Sequence, residues 1–289
     1  MKKIITTVGL LVILGVGFLI NNTDVLDGII GSNQTEDVQT SEEDKALLDI
    51  KYDKSKHPEN YVKLNGGETE LSDEDKALID EKGTKAWQQY TNLDSLGRSQ
   101  KGTAMVTNKV VTQHSSSYMK QHGLLYGDEK IYKRPPFPSY VHVSGEYADG
   151  HFDNAKQTWK GQDSNNGKTD LGTYNGWLYN KSHTIGWSLG GDMETHNVTL
   201  GTRAQNVGTG QDGGMGYIEG KTREAVQNNK DAQVFYEATP VYKDNELVPR
   251  GTHVRAYSVN DNGKTLNENI WVFNTQDGVN IDYATGQWK

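Results

Sequence analysis

Between Ser182 and Asn206 the chain concentrates side chains suited to acid–base or metal chemistry: His183, Asp192, Glu194, His196, Asn197, Arg203 and Asn206. An imidazole near its ordinary pKa exchanges a proton with water at neutral pH. Amide and carboxylate oxygens suit a hard divalent cation. Cysteine is absent, which removes disulfides, zinc–thiolate sites and thiol nucleophiles together. Any metal is therefore held by oxygen or imidazole. The chain has no G-x-x-x-x-G-K-[ST] loop and no dinucleotide fingerprint, so no nucleotide cofactor is expected. It has no His-x-x-x-His pair on a helix, and Gly172-x-Tyr174 does not make a nucleophile elbow. By themselves these residues keep plain alternatives. A single histidine such as His183 reads as structural or exposed, and Asn206 as a helix N-cap or turn residue. His196 and Asn197 read as turn or supporting residues, and Trp177 and Trp187 as core.

The elements that would position these groups are mixed. Ala104 to Thr112 is rich in β-branched residues and predicts a strand. Lys85 to Tyr90 fits a short helix or strand, and Asn92 to Arg98 a turn. Arg134 to Pro138 predicts a rigid extended loop. Gly172 to Tyr179 reads as a turn into a strand that leads directly to Ser182 and His183. Tyr217 to Asn228 gives the best helix signal: Ile218, Thr222, Ala225 and Val226 share one face, and Glu219 and Arg223, four apart, share another. Gln233 to Tyr242, His253 to Val259 and Ile270 to Phe273 predict strands separated by glycine-containing turns. Val234, Tyr236 and Ala238 fall on one side of the first. No βαβ alternation appears, so the expected class is α+β with a mixed or antiparallel sheet core.

The net charge of −8 is unevenly spread. Residues 21–83 hold 17 Asp and Glu against 7 Lys, whereas residues 84–289 hold 21 acids and 21 bases. Lys2 and Lys3 precede an almost uncharged apolar run, Ile4 to Ile20, closed by Asn21, Asn22 and Asp24. That order predicts a signal peptide or N-terminal membrane anchor over residues 1–22. Residues 23–83 read as an acidic, flexible tether, with a repeated short helix at Glu43–Asp49 and Glu74–Asp80. The main domain is then expected over residues 84–289.

The Asn180-Lys181-Ser182-His183 stretch, the Arg203-Ala204-Gln205-Asn206 segment and the helix from Tyr217 resemble the DNA/RNA nonspecific endonucleases of the ββα-metal (His-Me finger) type. Exported streptococcal DNases and membrane-bound competence nucleases are the groups they resemble most. The resemblance runs from Leu93 through Gly286, and the order of short motifs carries it. It implies His183 as general base, Asn206 as ligand of a single divalent metal, Mg2+ or Mn2+, and Glu219 and Arg223 as assisting residues, with Glu224 a second choice for the acid. The family's Asp-Arg-Gly before the histidine is replaced here by Asn180-Lys181-Ser182. Lys181 supplies charge but not the bidentate fork of an arginine, so charge relief on the phosphate shifts toward Arg203 or Arg223.

The implied function is an exported bacterial enzyme, secreted or anchored on the outer face of the cytoplasmic membrane, that hydrolyses DNA, and RNA as a further substrate, without sequence preference. Contacts to the nucleic-acid backbone carry no base information, which is the physical basis of that indifference. Two other classes compete: a catalytically impaired nucleic-acid receptor on the same fold, supported by the altered motif, and a surface adhesin, supported by the tether and aromatic β segments.

Overall fold

A computed structural model of the chain describes residues 41–122, 150–153, 158–161, 168–172, 175–208 and 212–289. The expected signal segment and the Arg134–Pro138 loop lie outside the described residues. In chain order the elements are helix α1 (Glu42–Ala46), strand β1 (Tyr61–Lys63), α2 (Asp73–Lys82), β2 (Trp87–Tyr90), β3 (Gly102–Thr107), α3 (Asn108–Gln113), α4 (Ser116–Gln121), β4 (Gly150–Asp153), β5 (Thr158–Gly161), β6 (Lys168–Asp170), β7 (Asn175–Trp177), β8 (Tyr179–His183), β9 (Val198–Thr202), α5 (Arg203–Val207), α6 (Gly214–Asn228), β10 (Gln233–Val241), β11 (Gly251–Ser258) and β12 (Asn267–Phe273). Among the described residues no helix is long and apolar enough to cross a membrane.

The main sheet is antiparallel throughout, in the order β1-β12-β11-β10-β3-β2. Alternation sorts its side chains. Ala104, Val106, Val234, Tyr236, Ala238, Val254, Ala256, Ile270 and Val272 point to one face and pack with Met215, Ile218, Ala225 and Val226 of α6. This is the apolar stripe expected from the sequence, and it fixes which way α6 turns its remaining residues. The anticipated strand over Ala104–Thr112 holds only to Thr107. Asn108 to Gln113 form α3, which packs on α6, so a tertiary contact overrides the β-branched preference of Val110, Val111 and Thr112.

The opposite face carries Met105, Phe235, Glu237, His253, Arg255, Trp271 and Phe273. From residue 41 onward, the segment expected as a tether covers it. Leu47 packs with Val241, Trp271 and Phe273, Ile79 packs with Met105 and Phe235, and β1 pairs with β12. Two acids of the segment pair with basic side chains on the sheet. Asp44 accepts from His253 Nδ1 at 2.6 Å, and Asp75 accepts from Arg255 Nη1 at 2.9 Å. Arg255 also donates to Glu237 at 2.6 Å. Burial alone would lower the His253 pKa, but the Asp44 hydrogen bond and charge outweigh it and hold the imidazole above its ordinary value. The acidity that suggested a solvated tether is thus in part the counter-charge of the sheet's back face, and the folded domain begins no later than residue 41. The repeated helices are present as α1 and α2; Ser72 and Asp75 form a capping box on the second.

Candidate active site

Strands β8 and β9 form a separate antiparallel hairpin with His183 opposite Val198. The chain passes directly from Thr202 at the end of β9 into α5. The Thr202 hydroxyl caps that helix by accepting from Gln205 N at 2.9 Å. His183 ends the first strand of this unit and Asn206 sits half-buried on its helix. Ser182 donates its hydroxyl to Gln205, and Arg203 donates to the Asn180 side chain at 3.4 Å. The unusual Asn180 and Ser182 therefore tie the strand to the helix that carries Asn206. Lys181 lies between them, opposite Leu200, with intermediate exposure. Asn274 fastens the unit to the main sheet: its Oδ1 accepts from Thr202 N at 2.8 Å, and its Nδ2 donates to the Leu200 and Pro249 carbonyls.

The loop between β8 and β9 is built around Asn197. Its Oδ1 accepts from Thr184 Oγ1 and Ile185 N, and its Nδ2 donates to the Ile185 and Asp192 carbonyls, all at 2.6–2.9 Å. Asp192 N donates to Tyr90 Oη at 3.1 Å. The Asp192 carboxylate pairs with His196, whose ring stacks on Tyr90 with centroids 4.3 Å apart. Asn197 and His196 are thus the supports of the loop, as their turn-like context suggested. The loop brings Met193 Sδ within 3.1 Å of His183 Nε2.

Helix α6 closes the site. It starts hard against α5 because Gly214 adopts φ +55, and a Cβ there would collide with the Ala204 and Gln205 carbonyls. Gly216 lies over the Asn206 carbonyl, 3.5 Å from where its own Cβ would stand. One turn on, the Glu219 carboxylate rests on Gly186, three residues beyond His183. A further turn on, Arg223 donates to Ser188 Oγ at 2.9 Å, with Nη1 3.9 Å from Glu219. Burial pushes the Glu219 carboxyl up to about 7, against a partly offsetting Arg223 charge. Glu224, the alternative acid, is exposed to solvent. The structure thus brings His183's loop, Asn206's helix, Glu219 and Arg223 together through one helix, α6. Trp187 is half-buried, edge-on to His114, whereas Trp177, expected in the core, is 54% exposed with Lys168 over its ring.

The donors fit a hard divalent ion. Among the described residues no three His, Asp or Glu side chains converge, so a cation here would take few protein oxygens and complete its shell with water, as magnesium prefers. The Asn206 amide and the Glu219 carboxylate could each offer such an ion an oxygen. The Tyr236 hydroxyl on β10 is fully buried without a partner among the described residues, and it lies near enough to Glu219 to feel its charge. An orphaned buried hydroxyl of this kind is usually satisfied by an ordered water or ion.

A hairpin ending in histidine, a short helix bearing asparagine and a second helix with an inward acid define a ββα-metal nuclease fold, here built on an antiparallel sheet. Residues 142–260 match the family model described as DNA/RNA non-specific endonuclease. A deoxyribonuclease of Streptococcus dysgalactiae subsp. equisimilis is 44% identical over 113 residues, which are 39% of this chain and 33% of the relative. The aligned part thus spans about a third of that relative's length. The Sda1 nuclease, solved with a bound zinc ion, superposes with a TM-score of 0.62 at 28% identity, over 82% of this chain and 99% of that one. NucA of Streptococcus agalactiae, solved with magnesium, shares the fold with a TM-score of 0.55 at 23% identity, over 88% and 99%.

Proposed function

We propose that this chain is an exported, divalent-metal-dependent endonuclease that hydrolyses phosphodiester bonds of DNA without reading base sequence. The observation that carries the reading is the convergence on α6, where Glu219 and Arg223 pack against the loop leaving His183 while the same helix leans on Asn206. His183 accepts a proton from the attacking water, which an imidazole does well near neutral pH. Asn206 offers the amide oxygen that would hold magnesium or manganese, and Glu219 orients a water beside it. A bound divalent ion supplies Lewis-acid charge for the phosphate and the leaving oxygen. Arg223, positioned by Ser188, grips the phosphate, and Lys181 and Arg203 add positive charge along the hairpin. Contacts of this kind address the backbone, so cleavage is indifferent to sequence and weakens as salt rises. Lys2, Lys3 and the apolar run after them support delivery across the cytoplasmic membrane, to be retained there or released.

The test incubates the full-length protein with supercoiled plasmid and with a structured RNA, in magnesium and in EDTA, beside His183→Ala and Asn206→Ala. Metal-dependent nicking that disappears in both variants is expected. Cleavage that survives His183→Ala would remove that residue as the base. Retardation of plasmid on a gel without cleavage under any divalent ion would make the protein a nucleic-acid receptor instead.

A further inference from the structure

Residues 84–289 hold 21 acids and 21 bases, so their attraction for a polyanion depends on where the bases gather. Three of them gather at one end of the main sheet, where β2 starts, β3 ends at Thr107 and β10 starts opposite it at Gln233. A groove of about 900 Å³ opens there, lined by Lys85 ahead of β2, Lys109 on α3 and Lys230 just past α6. All three side chains are exposed, and among the described residues none has a carboxylate partner. Three lysines against a single acid, Asp231, leave the described lining with a net charge of +2. The half-buried Trp87 adds apolar ring surface, its indole N–H donated to the Gly83 carbonyl at 2.8 Å.

The groove is built into the same packed unit as the candidate catalytic residues. Helix α6 meets the loop after His183 at Gly186, through Glu219, and at Ser188, through Arg223. The next residue of that loop, Leu189, lines the groove together with Lys230. Gly190, at φ +98, sits so close to α3 that a Cβ would stand 2.7 Å from Val110 Cγ2, and α3 packs on α6. Seven residues lead from Arg223 to Lys230, roughly 10 Å at helical rise. Five strand steps lead from Gly102, which touches Thr184, to Thr107 at the groove, roughly 17 Å. One DNA strand carries a phosphate about every 3.4 Å of helix axis. The groove therefore stands about three to five nucleotide steps from a phosphate held at Arg223.

We propose that this groove is a phosphate track for the flanking duplex, in which Lys85, Lys109 and Lys230 hold the DNA backbone to one side of the scissile bond. The proposal rests on the nuclease reading for what Arg223 grips. Duplex DNA fits because its charges are dense and regular, so a strand anchored at Arg223 presents further phosphates to the groove. Lysine is a point charge on a flexible stem. It follows a phosphate without demanding one register, as cutting without base preference requires.

The experiment measures binding of the full-length protein to a fluorescent duplex of about 30 base pairs in EDTA while salt is varied. It then measures kcat and KM on plasmid in magnesium. One variant combines Lys85→Gln, Lys109→Gln and Lys230→Gln. Losing three phosphate contacts should flatten the slope of log affinity against log salt by about 2–3 and weaken binding about tenfold or more near 0.1 M salt. KM should rise with kcat unchanged. The control combines Lys45→Gln, Lys51→Gln and Lys76→Gln, which removes the same charge from the segment over the opposite face of the sheet. It should change the slope by less than about 1. Lys85→Arg, Lys109→Arg and Lys230→Arg together keep the charge and should restore the wild-type slope. A groove variant with the wild-type slope and KM would overturn the track while leaving the nuclease reading intact, and an equal loss in the control would overturn it too. If binding depends on the three lysines as stated but no divalent ion supports cleavage, the track stands and the nuclease reading falls.

Discussion

Gly186→Ala separates the placement of Glu219 from the stability of the fold. Gly186 has φ −59 and ψ 146, a backbone that alanine adopts without strain. The new methyl, however, would stand 2.6 Å from Glu219 Cδ and Oε1 and 2.7 Å from Oε2. Ordinary carbon contacts begin at about 3.5 Å, so the carboxylate must retreat by roughly 1 Å. The retreat is cheap for folding. Glu219 is a flexible side chain with 20% of its surface exposed, and losing a glycine lowers unfolded-state entropy by about 0.4–1 kcal/mol. Net stability should therefore change by less than about 1 kcal/mol. Catalysis should be far more sensitive, because a displacement of about 1 Å in a catalytic constellation costs on the order of a hundredfold. The assay is the initial rate of plasmid nicking in magnesium, read beside a urea denaturation curve. Gly220→Ala is the control: among the described residues its methyl meets only Arg223 Nη2, at 3.7 Å, and glycine to alanine inside a helix should stabilise by about 1 kcal/mol with activity kept. A Gly186→Ala protein that is stable and fully active would refute the role assigned to the Glu219 carboxylate.

Glu219 should also mark the pH dependence. Its pKa rises from 4.5 unfolded to about 7 folded, so the folded state binds the proton more tightly and stability falls as pH climbs through that window. Above it the penalty levels off at about 3 kcal/mol. Glu219→Gln should therefore raise Tm in EDTA by several degrees at pH 8 and leave it unchanged at pH 4, and in magnesium it should abolish efficient cleavage. An equal shift at both pH values would show that burial of this acid is not the cause. On the back face, Arg255→Met leaves the buried Asp75 and Glu237 without their shared cation, side chains 6% and 10% exposed. It should cost about 3–5 kcal/mol and open residues 61–83 to limited proteolysis. A protease pattern like the wild type would mean that apolar contacts alone hold that segment.

Much of this architecture is legible along the chain, because spacing within one element decides which residues share a face. The stripe Ile218, Thr222, Ala225 and Val226 specified α6 and, by exclusion, put Glu219 and Arg223 on another face. Alternation in β10 to β12 specified strands and sorted Val234, Tyr236 and Ala238 onto one side. The order of short motifs identified His183, Asn206 and Glu219 as candidates together. What covers each face was not legible. Asp44 meets His253 across 209 residues of chain, and Asp75 meets Arg255 across 180. No local pattern encodes such pairs, so composition read an acidic segment as solvated when the fold uses part of it to pair with basic side chains of the sheet. The same holds for Asn274 clamping the hairpin, for Gly186 receiving the Glu219 carboxylate, and for Val110 to Thr112 turning helical against α6. The sequence by itself determined which elements form and which residue types can do the chemistry. Only the tertiary structure decided which atoms meet, since contact between distant segments depends on the packing of every element between them.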